Sequence, residues 1–180
     1  MALCLIIGGI YIAYLTLVAA GSRPINQSST SQQKFVEQHA LAVSEVNTLI
    51  IPKISINALI NPGGVATLKD GAIWHRLPEN GDPEKGGNFV LAGHRYVFAL
   101  KPDKVVEDSV LYNLDKLNVN DQIIVDWNKK RYNYTITKTY SVKPTDVQIE
   151  EHSDQAKLTL YSCTLNGSAD GRIVVEAVQK

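Results

Sequence analysis

Cys163, His94 and Arg172 are the residue types that nucleophilic chemistry at a thiol would use. Cys163 closes the stretch LTLYSC, residues 158–163, just ahead of a turn-like Asn166-Gly167. A cysteine is a nucleophile only as an accessible thiolate, and a thiol with an ordinary pKa of about 8.5 needs a cationic or basic neighbour near neutrality. Histidine is the obvious neighbour, and the sequence has four, at 39, 75, 94 and 152. His94 directly follows the apolar run NFVLAG, with Gly93 permitting close backbone approach and Arg95 next to it, so an imidazole stands at a strand end. His39 falls on an amphipathic segment, His75 lies in AIWHRLP where it could line a surface groove, and His152 sits in EEHSD where solvation alone explains it. Arg172 opens the last apolar run, RIVVEAV, and the intervening TLNGSADG has the composition of a connection between antiparallel neighbours. That connection would bring Arg172 beside Cys163, where a fixed guanidinium can stabilise a thiolate or the oxyanion of a tetrahedral intermediate.

Each assignment has a plainer competitor. A lone cysteine in an apolar strand is commonly an inert core residue. His94 could equally be a hydrogen-bonded structural histidine, and Arg172 an ordinary surface ion-pairing residue. Zinc held by His75, His94 and Cys163 has no short ligand spacing to support it.

The elements that must position these residues are mostly strands. From residue 48 the pattern has a period of two: TLIIPKISINALI, NFVLAGH, DQIIVDW, RYNYTITKTYSV, KLTLYS and RIVVEAV are short, rich in β-branched and aromatic residues, and bounded by Gly, Pro, Asn and Asp. Six or more such strands predict an all-β sandwich or barrel. Residues 118–121 and 127–131 read as hairpin connections. Before the strands, Phe35, Val36, His39, Val43 and Val46 have near-helical spacing and predict a short amphipathic helix over 32–46.

Residues 2–20, ALCLIIGGIYIAYLTLVAA, carry no charge and are about long enough to cross a bilayer as a helix. A cleaved signal peptide is the rival reading, with Val18 and Ala20 before the cut, but a charged n-region is lacking. We read an uncleaved anchor. Arg23 and Lys34 lie after the span, mildly against the positive-inside pattern, so charge does not orient it. Residues 21–33 are Ser- and Gln-rich and read as a stalk. The expected organisation is an anchor over 1–21, a polar stalk and short helix over 22–47, and a β domain over 48–180.

Composition excludes some functions. Eighteen basic residues balance eighteen acidic ones and no basic cluster stands out, which argues against nucleic acid as a partner. Two cysteines, Cys4 and Cys163, are too few for a disulfide scaffold. Cys4 belongs to the membrane segment, so Cys163 is expected as a lone thiol. In an exported domain such a thiol is reactive or bridged to a partner.

The set VLAGHR with His94, LTLYSC with Cys163 and GRIVVEA with Arg172, in that order on an anchored all-β chain, resembles the sortases. The likeness runs over residues 48–178, including IIPKISINALI and GAIWHRLPENGDPEKGGNFVLAGHR. Sortases commonly read Thr-Leu-any-Thr-Cys before the nucleophile, and here Ser162 replaces the second Thr while keeping a hydroxyl. GAIWHRLP is more similar to housekeeping-like groups, class D or E, than to pilus-building ones.

The resemblance implies a closed eight-stranded β-barrel with short helices, preceded by the transmembrane helix. It implies that Cys163 attacks the Thr carbonyl of a Leu-Pro-any-Thr-Gly signal, or one with Ala second, that His94 moves the proton, and that Arg172 holds substrate and oxyanion. It implies substrate contacts from Ser162, Thr164, Arg95 and His75, and as partners surface proteins with a C-terminal sorting signal and a peptidoglycan precursor or other amine acceptor. It places the amino terminus in the cytoplasm and the catalytic domain on the extracellular side of the cell membrane. No cofactor is expected; calcium in residues 145–154, TDVQIEEHSD, as in some sortases, competes with simple solvated loop charge, since the spacing does not match an EF-hand. The non-enzymatic alternative is an anchored β-barrel that binds a peptide or glycan without turnover.

Overall fold

The computed structural model describes Gln38 and residues 42–180. The apolar run 2–20, the stalk 21–33 and most of the expected helix, His39 included, lie outside the described residues. Of that helix, Gln38 is helical, whereas residues 42–46 are bends and irregular chain. Backbone bonds explain the irregular part: the Ser44 amide donates to Asp126 Oδ2 at 2.8 Å, and Arg131 donates to the Ala42 carbonyl at 2.9 Å.

Nine strands follow: β1 (Thr48–Ile51), β2 (Ile56–Pro62), β3 (Ile73–Arg76), β4 (Gly81–Asp82), β5 (Gly86–Ala92), β6 (Gln122–Trp127), β7 (Lys130–Val142), β8 (Lys157–Thr164) and β9 (Gly167–Gln179). One α-helix, α1 (Pro102–Asp108), and several 3-10 turns lie between them. The sheet runs β3-β2-β1-β6-β7-β9-β8-β5-β4, and β3 also pairs with β5. That extra pairing closes eight strands into a ring, with the two-residue β4 outside it. Closure removes the unpaired edges that an open sheet of this size would expose.

Alternation sorts the side chains into two layers. Leu49, Ile51, Ile73, Phe89, Leu91, Ile123, Val125, Tyr134, Ile136, Leu158, Leu160, Val175 and Ala177 fill the barrel. The residues between them on β5, β8 and β9 face outward: Val90, Ala92, Tyr161 and Val174 form a second apolar cluster with Ile149, flanked by Trp74, Tyr140 and Val142.

Some connections differ from the sequence reading. The apolar run 48–60 is broken at Pro52–Ile54, a 3-10 turn, into the antiparallel pair β1–β2. Residues 127–131 do make the β6–β7 hairpin, with Asn128 and Lys129 at φ +49° and +63°, as a tight two-residue turn requires. Residues 118–121 do not join two strands; they link a 3-10 turn to β6 and are closed by Asn118 N–H donating to Asp121 Oδ2 at 2.6 Å. The stretch after Cys163 is shorter than a free connection: β8 turns over Leu165–Asn166, Thr164 pairs with Gly167, and Cys163 pairs with Arg172. Residues 168–171 are thus extruded as a bulge, a common way to re-aim a side chain next to a site.

The chain enters the barrel at one end and the candidate site lies at the other. Glu45 pairs with Lys129 and the Asn128 amide donates to Asn47 Oδ1, which fixes the entry at the β6–β7 hairpin. Glu84, in the turn between β4 and β5, reaches the same hairpin through Asn128 and Lys130. Cys163 stands beyond the far end of β5, where Ala92 pairs with Tyr161.

Candidate active site

β5 and β8 run parallel with Ala92 opposite Tyr161, so one step further Gly93 meets Ser162 and two steps further His94 comes abreast of Cys163. Two bonds continue the alignment past the ladder: Gly93 N–H donates to the Tyr161 carbonyl at 3.3 Å, and Ser162 Oγ donates to the Gly93 carbonyl at 2.7 Å. On the other side, Cys163 and Arg172 are direct cross-strand partners. Side chains alternate along β8 and β9, so Cys163 shares its face with Tyr161 and Arg172 with Val174, while His94 lies two residues past the end of β5. All three sequence-predicted groups therefore lie at the same end of the β5–β8–β9 ladder.

Cys163 is a free, partly accessible thiol. His94 and Arg172 are likewise half-buried. Arg172 Nη1 donates to the Ser168 carbonyl at 2.7 Å and the Gly171 carbonyl at 2.9 Å, so the bulge holds the guanidinium from behind. Among the described residues no carboxylate forms an ion pair with it.

The four residues assigned to substrate contact are placed differently. Ser162 is 2% exposed and turned inward onto Gly93. Arg95 is 3% exposed and donates to Asp115 Oδ1 at 2.7 Å, with its Nε and Nη1 buried. His75 is 3% exposed, packed edge-on against Phe89 and Trp127 at 4.9 and 5.2 Å between centroids, and donates from Nε2 to the Gly81 carbonyl at 3.1 Å. Burial pushes the His75 imidazole below its ordinary value. These three do not line the outer face: strand alternation turns Ser162 and His75 inward, and Arg95 is buried against Asp115. Thr164 is partly accessible, and its hydroxyl bonds Asp170 at 2.5 Å within the hairpin.

The residues that do border the apolar ledge were not singled out from sequence. The loop between β7 and β8 carries a 3-10 turn, Val147–Glu150, that lays Ile149 on the ledge. Glu150, read as solvated loop charge, is 8% exposed; it accepts from the Tyr161 hydroxyl and pairs with Arg76 Nε at 2.5 Å. The Tyr161 phenol is pushed well above its ordinary value by burial and by that bond, so it stays protonated. Arg76 stacks over Trp74 at 4.9 Å. Asn80 Nδ2 donates to the Glu150 carbonyl at 2.7 Å, and Asn88 Nδ2 to the carbonyls of Ile149 at 3.0 Å and Glu151 at 2.7 Å. The loop is thus tied down at successive carbonyls. Its signal was weak because Glu150 is separated from Arg76 and Tyr161 in sequence and sits among other acids. His152, by contrast, is exposed. Among the described residues no group of three or more His, Cys, Asp or Glu could hold a metal ion, and Glu150 is already engaged by an arginine and a tyrosine.

A ring of eight strands carrying Cys, His and Arg at one mouth, beside a clamped loop, is the architecture of a known class. The sortase domain model matches residues 49–180, and the chain belongs to the sortase family. It is 28% identical to sortase A of Listeria monocytogenes over 121 residues, 66% of this chain but 49% of that protein, so the match spans about half the relative's length. It is 26% identical over 91 residues to the putative sortase YwpE of Bacillus subtilis, covering 50% of this chain and 80% of that one. Among solved structures, Listeria monocytogenes sortase A superposes with a TM-score of 0.63 at 20% identity, over 75% of this chain and 86% of that one. A sortase D5 transpeptidase from Clostridium perfringens gives 0.62 at 24% identity, over 86% and 90%. At these identities the superpositions establish the fold.

Proposed function

We propose that this chain is a cysteine transpeptidase that cleaves a Leu-Pro- or Leu-Ala-any-Thr-Gly sorting signal after Thr and passes the acyl group to an amine of the cell wall. The observation that carries the reading is the gathering of Cys163, His94 and Arg172 at one end of the β5–β8–β9 ladder, with Cys163 and Arg172 as direct cross-strand partners. An extended peptide crossing that end of the ladder would bring a backbone carbonyl to the thiol.

The Cys163 thiolate attacks the Thr carbonyl carbon, forming the C–S bond. The oxyanion that develops faces Arg172, whose fork is held from behind by Ser168 and Gly171. As the C–N bond breaks, the His94 imidazolium gives its proton to the leaving glycine amine, leaving a thioester and a neutral imidazole. An incoming amine attacks the thioester, His94 takes its proton, and the thiolate is expelled. Nucleophile, proton carrier and positive charge all come from side chains, and no cofactor takes part in the proposed steps.

Residues 2–20 are proposed to hold the domain at the outer face of the cell membrane, where exported substrates and wall precursors meet. The test is a library of sorting peptides incubated with and without added amines, with products identified by mass spectrometry. Cleavage between Thr and Gly, transfer to the amine, and loss of both in Cys163→Ala are expected. Peptide binding without turnover in the wild type would instead make the barrel a binding scaffold.

A further inference from the structure

We infer that Ser162 is a positioning residue: its hydroxyl bond to the Gly93 carbonyl sets the spacing between the His94 imidazole and the Cys163 thiol. The inference rests on reading Cys163 and His94 as the reacting pair. Ser162 and Gly93 are the residues immediately before Cys163 and His94, and they sit side by side where the β5–β8 ladder ends. Beyond that end, among the described residues, no hydrogen bond joins His94 itself to β8. Three bonds take over: Gly93 N–H to the Tyr161 carbonyl at 3.3 Å, Ser162 Oγ to the Gly93 carbonyl at 2.7 Å, and Leu111 N–H to the His94 carbonyl at 3.0 Å.

The Ser162 bond is the shortest of the three and joins the two catalytic segments by a side chain. It is buried, with Ser162 2% exposed, so water does not compete for either partner. Gly93 also lacks room to drift inward, because even a Cβ there would meet Leu111 Cδ1 at 2.8 Å and Ile73 Cδ1 at 2.9 Å. Squeezed from within and tied across by Ser162, the Gly93 peptide fixes the backbone from which the imidazole hangs. Ser162 thus acts through His94 and does not touch substrate.

Ser162→Ala removes the bond without adding volume, and Ser162→Thr keeps the hydroxyl. The full-length protein would be assayed for sorting-peptide turnover, and the His94 imidazole resonances followed by NMR in the absence of peptide. Ser162→Ala is expected to lower kcat by about 10- to 100-fold while leaving KM within about twofold, since misplacing a reacting group by about 1 Å costs that much. The His94 resonances should shift and broaden in this variant, and Ser162→Thr should restore both readouts. Wild-type kcat together with an unmoved His94 spectrum in Ser162→Ala would overturn the inference. Should the alanine variant not fold, a His94 spectrum displaced in Ser162→Thr despite its intact hydroxyl would overturn it. The spectrum needs no substrate, so it decides the inference even if no peptide is turned over. Unchanged turnover in His94→Ala would count instead against the proposed reaction.

Discussion

Cys163 and Arg172 face each other as cross-strand partners on β8 and β9, although nine positions separate them, because residues 168–171 bulge out of the ladder. The same bulge presents the Ser168 and Gly171 carbonyls that hold the guanidinium. Position and charge are therefore set by one local distortion.

Arg172→Lys keeps the charge but loses the planar fork that two carbonyls now orient. Turnover of a sorting peptide should fall by about 10²-fold or more, as for removal of an oxyanion donor. The circular dichroism spectrum should not change. A lysine variant with the wild-type rate would mean that the fork has no part in catalysis.

Glu150→Gln should loosen the loop over the ledge. The substitution takes the carboxylate from Arg76 and weakens the bond from Tyr161, while the Asn80 and Asn88 bonds to backbone remain. KM should rise several-fold with a smaller change in kcat, and amide exchange over 147–151 should quicken. Unaltered KM and exchange would show that the loop is held by the asparagines alone. Stability should drop by roughly 1–3 kcal/mol, the usual cost of leaving a partly buried polar group without its partner.

Gly93→Ala should be damaging out of proportion to its size. The added methyl meets Leu111 and Ile73 side-chain atoms below 3.0 Å. Overpacking of this kind costs about 1–3 kcal/mol, readable as a lower melting temperature. Because the strain falls one residue before His94, turnover should fall further than the stability loss explains at a temperature where the variant stays folded. Retention of wild-type turnover would show that the barrel wall yields instead.

His75 predicts a pH effect on stability. Its imidazole is lowered by burial among Phe89 and Trp127, so the unfolded chain takes up this proton first as pH falls. The stabilising contribution is complete above the unfolded value of about 6.5 and is lost as pH drops from there through the lower folded value. His75→Phe keeps an aromatic ring in the cluster and removes the titration. Melting temperatures measured from pH 7 to pH 5 should fall more steeply for wild type than for the variant. Parallel curves would mean that the folded protein protonates His75 without cost.

By itself the sequence determined the all-β class and the family resemblance, and it singled out Cys163, His94 and Arg172 as candidates. Those features are local: two-residue alternation marks strands, an Asn-Gly marks a turn, and a polar residue at the end of an apolar run marks a mouth. The β6–β7 hairpin was legible for the same reason, and so was the neighbourhood of Cys163 and Arg172, because both lie within one hairpin.

Tertiary structure decided the rest. Whether Ser162, His75 and Arg95 face substrate or core depends on which side of a closed sheet each occupies. Closure itself rests on the β3–β5 pairing, between strands whose neighbours in the ring are set elsewhere. β3 was missed because IWHR is four residues long and holds His and Arg, a pattern that becomes a strand only between β2 and β5. Glu150 looked like one more solvated acid until the fold set it against Arg76 and Tyr161, the latter on a strand that follows it and the former on one far before it. Alternation along a strand is written in the chain, whereas the direction called inward exists only once the strands have closed around a core.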